Sequence, residues 1–138
     1  MDLSNRTILI TGSSDGIGKV LAIEFSKLGS NIILLGRDSS KLDQVYDQLD
    51  CSFKSQKHLI LQADLALLSK ESAHEILRAI TEEFISLDGI IHNAAILGSM
   101  TTLEDYELSR WDEVLNINLR APFLLTKTLK TILERSKL

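Results

Sequence analysis

Thr11-Gly12-Ser13-Ser14-Asp15-Gly16-Ile17-Gly18 stands between two segments of different periodicity. Before it, Arg6-Thr7-Ile8-Leu9-Ile10 is a short apolar run, the pattern of a buried strand. After it, Lys19 to Leu28 reads as a helix, with Ile17, Val20, Leu21, Phe25 and Leu28 at helical spacing on its expected apolar face. Glycines at 12, 16 and 18 let the backbone turn tightly and approach a ligand without Cβ atoms in the way. The free N–H groups and positive dipole end of the helix then face whatever the turn holds, and a phosphate suits that field. Strand, glycine-rich turn and helix, in that order, make a nucleotide site the expectation.

The alternation continues. Gly29 stops the first helix, and Asn31 to Leu35 is a continuous apolar run that predicts a second strand covered on both faces. Ser39-Ser40 opens a second helix carrying Leu42, Val45, Tyr46 and Leu49. His58 to Ala63 reads as the third strand, and Ala73, Ile76, Leu77, Ile80 and Phe84 give the third helix its buried face. Gly89 to Asn93 reads as the fourth strand. Two helices follow, from Glu104 to about Asn116 and from Ala121 to about Leu133, with Pro122 tolerated in the first turn of the second. That last helix is apolar around most of its circumference, which predicts packing on two sides. The fold class is α/β: one domain over residues 1–138, a Rossmann-like doubly wound parallel sheet with helices on both faces. Right-handed crossovers give strand order 3-2-1-4, with the ligand crevice where strands 1 and 4 diverge.

Composition removes several classes. A net charge of −4 argues against a nucleic-acid partner. No apolar run approaches the ~20 residues that span a bilayer. Cys51 is the only cysteine, so no intrachain disulfide is available, and the N-terminus lacks signal-peptide organisation. A cytoplasmic protein is the expectation. His58, His74 and His92 have no metal-ligand spacing with each other or with Cys51, so no metal site is expected.

Four further sites fall at or just after strand ends, where open α/β sheets place ligands. They are Gly36-Arg37, Asp64-Leu65, Asn93-Ala94-Ala95, and Asn118 within Asn116-Ile117-Asn118-Leu119. With the glycine turn, this set resembles the first half of a short-chain dehydrogenase/reductase, over roughly residues 6 to 135. The resemblance implies a dinucleotide cofactor held by Gly12, Ser14, Asp15, Gly16, Ile17 and Gly18 in the turn. Asp64 would hydrogen-bond the adenine amino group beside the Leu65 backbone, and Asn93 and Ala94 would line the pocket near the ribose. Asn118 would take the position of the family's helix asparagine, which holds a water in a proton relay. Each has a plainer reading: Asp64 as the N-cap of a turn, Asn93 as a partner for loop backbone, Asn118 as a cap or interruption of a helix. Arg37 stands beside Gly36, where an NAD-selective site wants a carboxylate, so NADP(H) is favoured over NAD(H). Asp15 and Asp38 temper that preference.

Two positions depart from the family pattern of Asn-Asn-Ala-Gly: His92 replaces its first Asn and Ala95 its Gly. The family's Ser and Tyr-x-x-x-Lys, which carry its carbonyl chemistry, have no counterpart here. Tyr46 and Tyr106 are the only tyrosines, and Asp50 and Arg110 occupy the positions of the lysine. The sheet is therefore expected to stop before a fifth strand, leaving one edge of strand 4 and part of the last helix uncovered, with a homo-oligomer or a complementing second chain as partner. Three functions stay open. One is the front part of an NADP(H)-dependent oxidoreductase acting on a small carbonyl or alcohol substrate, inactive alone. The others are a non-catalytic dinucleotide-binding half-domain and an interaction module.

Overall fold

In the computed structural model, which describes residues 3–137, strand and helix alternate along the chain. The first units are β1 (Thr7–Thr11), α1 (Gly16–Lys27), β2 (Asn31–Gly36), α2 (Ser39–Tyr46) and β3 (Leu59–Gln62). After a short 3-10 turn at Leu65–Leu67 come α3 (Lys70–Glu83), β4 (Gly89–Ile91), α4 (Leu108–Leu115) and α5 (Ala121–Leu133). All four strands run parallel in the order β3-β2-β1-β4, as the crossover rule predicts. Leu9 sits opposite Ile33 on one side and Ile90 on the other.

Strand periodicity divides the core into two layers. Ile8, Ile10, Ile32 and Leu34 pack with Ala22 of α1 and Leu42 and Val45 of α2. Leu9, Ile33 and Leu35 point to the opposite face, against Ile76 and Ile80 of α3 and Leu125, Leu129 and Ile132 of α5. A sheet buried on both sides needs continuous apolar strands, which is why β1 and β2 read as unbroken runs.

Helix α1 meets the core with only part of the apolar face its spacing suggests. Leu21 and Phe25 pack against the core partly buried, Ile17, Val20 and Leu28 are exposed, and Gly18, Ala22 and Ser26 are buried. These small residues recur every fourth position and let the helix axis lie close over the strands. A bulky face would hold the helix away from the turn that feeds it.

The expected pair of helices after β4 also differs. Residues 104–107 are not helical: Thr102 Oγ1 donates to Asp105 Oδ2 (2.9 Å), and Tyr106 folds back so that its hydroxyl accepts from Ser99 N–H (3.4 Å). From Leu108 the helix is continuous, because Asn116–Arg120 forms a π-helical turn that joins α4 to α5. Pro122 follows at once, and its missing N–H removes a donor that a regular helix would use there. Trp111, Leu115, Leu119 and Phe123 are exposed at four-residue intervals along this double helix. Strand β4 ends at Ile91, two residues earlier than its sequence suggests, where Asn93 N–H turns back to the Ile91 carbonyl (3.0 Å).

Two polar clusters hold the bottom of the sheet. Asp88 accepts from Thr7 N–H (2.8 Å), Ser136 Oγ (2.7 Å) and Arg6 (3.2 Å). Burial opposes its charge, but these three donors outweigh burial and hold the carboxyl below its usual value. His58 Nδ1 accepts from Ile32 N–H (3.0 Å), so its Nε2 carries the proton and donates to the Asp50 carbonyl (2.9 Å). The ring is therefore neutral in the fold.

Leu34 is fully buried in the α1–α2 layer, so Leu34→Ala is expected to lower unfolding free energy by about 2–5 kcal/mol in a denaturant titration. Burial pushes the His58 pKa below its ordinary 6.5. The stability it contributes is thus complete above that value and is lost as pH falls below it, since the unfolded chain takes up the proton first. Urea midpoints at pH 7.5 and 5.5, at about one unit either side of the free histidine value, are expected to drop less in His58→Gln than in the wild type. Equal drops would refute the neutral-ring assignment.

Candidate functional site

The strand ends and the loops leaving them enclose a cleft of about 440 Å³, within the size range of small-molecule sites. Among the residues expected from the sequence, Gly12, Ser14, Asp15, Gly16, Ile17, Arg37, Asp64, Leu65, Asn93 and Ala94 all line it. Gly18 lies behind the turn, and Asn118 stands back from the lining.

The turn is held from the segment that follows β4. Asn93 Nδ2 donates to the carbonyls of Thr11 (3.0 Å) and Gly12 (3.1 Å). The Thr11 hydroxyl accepts from the N–H groups of Asn93 and Ala94, each at 3.1 Å, and donates to the Ile91 carbonyl (3.4 Å). This packing leaves no room for side chains. A Cβ on Gly12 would lie 2.9 Å from Ala94 Cα, and one on Gly18 would collide with the Gly12 carbonyl and come within 2.5 Å of Asn93 Nδ2. Gly16 is needed for another reason: its φ is +52°, while a Cβ there would meet nothing. The turn thus presses its backbone against Asn93 and Ala94, just beyond β4, and keeps open space at Gly16.

Beyond the turn, α1 offers its first N–H groups. Asp15 Oδ1 accepts from Gly16 N–H (2.8 Å), and Asp15 Oδ2 lies 3.4 Å from Lys41 Nζ in α2. The Gly16 bond first, and Lys41 second, hold the Asp15 carboxyl below its usual pKa. The N–H groups of Ile17 and Gly18 have no partner among the described residues and are orphan donors of the first turn.

Arg37 forms no ion pair among the described residues, and its carbonyl accepts from Gln62 Nε2 (3.0 Å). Asp38, the neighbouring carboxylate, is turned onto its own helix, where it accepts from Lys41 N–H (3.0 Å). Asp64 caps the 3-10 turn by accepting from Ala66 N–H (2.9 Å) and lines the cleft as well.

Asn118 sits on the π-helical turn, where its amide closes a two-way pair with Ile96: Oδ1 accepts from Ile96 N–H and Nδ2 donates to Ile96 O, both at 2.9 Å. That pair seats the loop after β4 so that Ala95 and Ile96, with Ile117, form an apolar wall of the cleft. His92 leaves the strand end toward α5, with Nε2 2.9 Å from Thr126 Oγ1. Sequence reasoning gave no site role of their own to Thr11, Ile96 and Ile117. Thr11 carried a signal, a buried polar residue closing an apolar strand; the two isoleucines carried none.

A family model described as short chain dehydrogenase matches residues 6–137. The uncharacterized oxidoreductase YciK of Escherichia coli K12 is 34% identical over 134 residues, 97% of this chain and 53% of that protein. The short chain dehydrogenase/reductase dpfgG of Gibberella zeae is 35% identical over 125 residues, 91% of this chain and 44% of that protein. The crystal structure of a short chain dehydrogenase from Salmonella enterica serovar Typhi superposes with a TM-score of 0.90 at 34% identity, covering 97% of this chain and 55% of that one. An Escherichia coli CFT073 structure complexed with NADPH gives 0.88 at 35%, covering 99% and 57%. The chain spans about half the length of the curated relatives it matches. No helix among the described residues is long and apolar enough to cross a membrane. With a family match running from residue 6 to 137 and a fold that superposes on these structures over nearly its whole length, this chain belongs to the short chain dehydrogenases.

Proposed function

We propose that this chain binds NADP(H) in the cleft at its strand ends and forms the coenzyme-holding portion of an oxidoreductase acting on a small carbonyl or alcohol. The observation that carries this reading is the turn itself, packed without clearance against Asn93 and Ala94 yet open at Gly16, beside two helix N–H groups unpartnered among the described residues. The N–H groups of Ile17 and Gly18 would take the pyrophosphate. Asp64 would accept from the adenine amino group with its remaining oxygen, and Arg37, free of any ion pair among the described residues, would take the 2′-phosphate. The NADPH complex of the Escherichia coli CFT073 protein supports the choice of coenzyme. When bound, the nicotinamide supplies or accepts the hydride.

The chain's own residues position the coenzyme and exclude side chains from its path. Neither tyrosine lines the cleft: Tyr46 packs edge-on to His58, and Tyr106 is held at Gly98, Ser99 and Trp111. Proton donation to a substrate therefore has no candidate tyrosine among these residues. A second reading, a dinucleotide-binding module without chemistry of its own, draws on the same observation.

Calorimetric titration with NADP+ and NAD+ tests the site. The wild type is expected to bind both, and Gly18→Ala neither, because the new Cβ displaces Asn93 from the turn. Arg37→Ala is expected to weaken NADP+ on the order of tenfold and leave NAD+ within about twofold. For chemistry, the purified 138-residue chain is expected to show no NADPH oxidation with aldehyde or dicarbonyl substrates in an absorbance assay. Substrate-dependent turnover would overturn that part of the reading.

A further inference from the structure

The glycine turn and the first turn of α2 are joined by an ion pair that the site reading leaves unused. Asp15 ends the glycine turn and lines the cleft, and Lys41 lies in the first turn of α2, four residues beyond Arg37. Their charged atoms are 3.4 Å apart. Both ends of the pair are seated by backbone. Asp15 is anchored through its bond to Gly16 N–H (2.8 Å), and Lys41 through the bond from its own N–H to Asp38 Oδ1 (3.0 Å).

We propose that Asp15 and Lys41 form a latch that sets discrimination for the ribose 2′-phosphate, with Lys41 as a second cation beside Arg37 and Asp15 as its counter-ion until the phosphate displaces it. This rests on the reading of the cleft as a dinucleotide site. The pair is suited to exchange. Its side chains are 53% and 78% exposed, so water screens the contact, and a phosphate with more charge and more acceptor oxygens competes effectively for the ammonium. Asp15 does not follow Lys41 away, because the Gly16 bond keeps the carboxylate at the positive end of α1. There it also opposes every phosphate that enters, with Lys19 as the other cation that faces it. Arg37 provides the standing charge for a 2′-phosphate. Lys41 adds a charge that is delivered only to a ligand strong enough to open the latch.

Calorimetric titrations with NADP+ and NAD+, which differ only in the 2′-phosphate, separate this from the coenzyme reading. The variants are Lys41→Met and Asp15→Asn, both at exposed positions, and Asn keeps the helix cap. Thermal melts by circular dichroism check that each is folded. Lys41→Met is expected to weaken NADP+ on the order of tenfold with NAD+ unchanged within about twofold. Asp15→Asn is expected to tighten both ligands, NADP+ by the larger factor. The latch requires both shifts, and an NADP+/NAD+ affinity ratio that either substitution leaves unmoved overturns it while the dinucleotide reading stands. A wild-type chain that binds neither ligand overturns both.

Discussion

The Asn93 side chain bridges the carbonyls of Thr11 and Gly12, and the Thr11 hydroxyl receives the N–H groups of Asn93 and Ala94. At this point two parallel strands leave the sheet and their backbone groups lose their ladder partners while still half buried. Buried N–H and C=O groups must be satisfied, and two side chains do it for both strands at once. The rest of the architecture depends on that knot. It brings the backbone of residues 12 and 94 so close that only glycine fits at 12 and 18, and it aims the start of α1 along the cleft. Helix α1 can then lie close over the sheet on Gly18, Ala22 and Ser26, with Leu21, Ile23 and Phe25 packed at the sides of the core and Ile17 and Val20 left outside.

The opposite wall is built by a different device. The π-helical turn at Asn116–Arg120 changes the helix register and places Asn118 level with Ile96, whose two backbone groups it takes in a paired bond. Arg120 on the same turn donates to the Leu68 carbonyl (2.7 Å), fixing this helix to the segment that follows Asp64. One local irregularity thus ties together loops that follow β3 and β4. Functional sites often use such turns, because an extra residue in a helix re-aims side chains without ending it.

The charge pattern shows how a chain of net charge −4 can still set an arginine without an ion pair, among the described residues, in the cleft lining. Asp38 is committed to capping α2 and Asp64 to capping the 3-10 turn. Asp15 caps α1 and pairs with Lys41. Each of the carboxylates nearest the cleft has at least one oxygen engaged with backbone, and Arg37 is left without an ion pair among the described residues. Counting charges along the sequence hides this, because the effect of a carboxylate depends on which donor it has already taken.

Much of the architecture was readable from sequence because its determinants are local. Unbroken apolar strands, helical spacing in between and glycines at a strand-to-helix turn are patterns of adjacent residues, and handedness then dictates the strand order. The strand-end positions of Arg37, Asp64 and Asn93 follow from the same pattern. Tertiary structure alone decided which positions of α1 are fully buried, because close approach to the sheet leaves room only for small side chains there. It alone joined the last two helices, since a register change of one residue leaves no mark in composition. It also brought Ile96, Ile117 and Asn118 to the cleft side of the sheet, and Lys41 to Asp15. Those relations lie between residues about 20 to 26 positions apart in sequence, and only the packing of the elements between them fixes their separation in space.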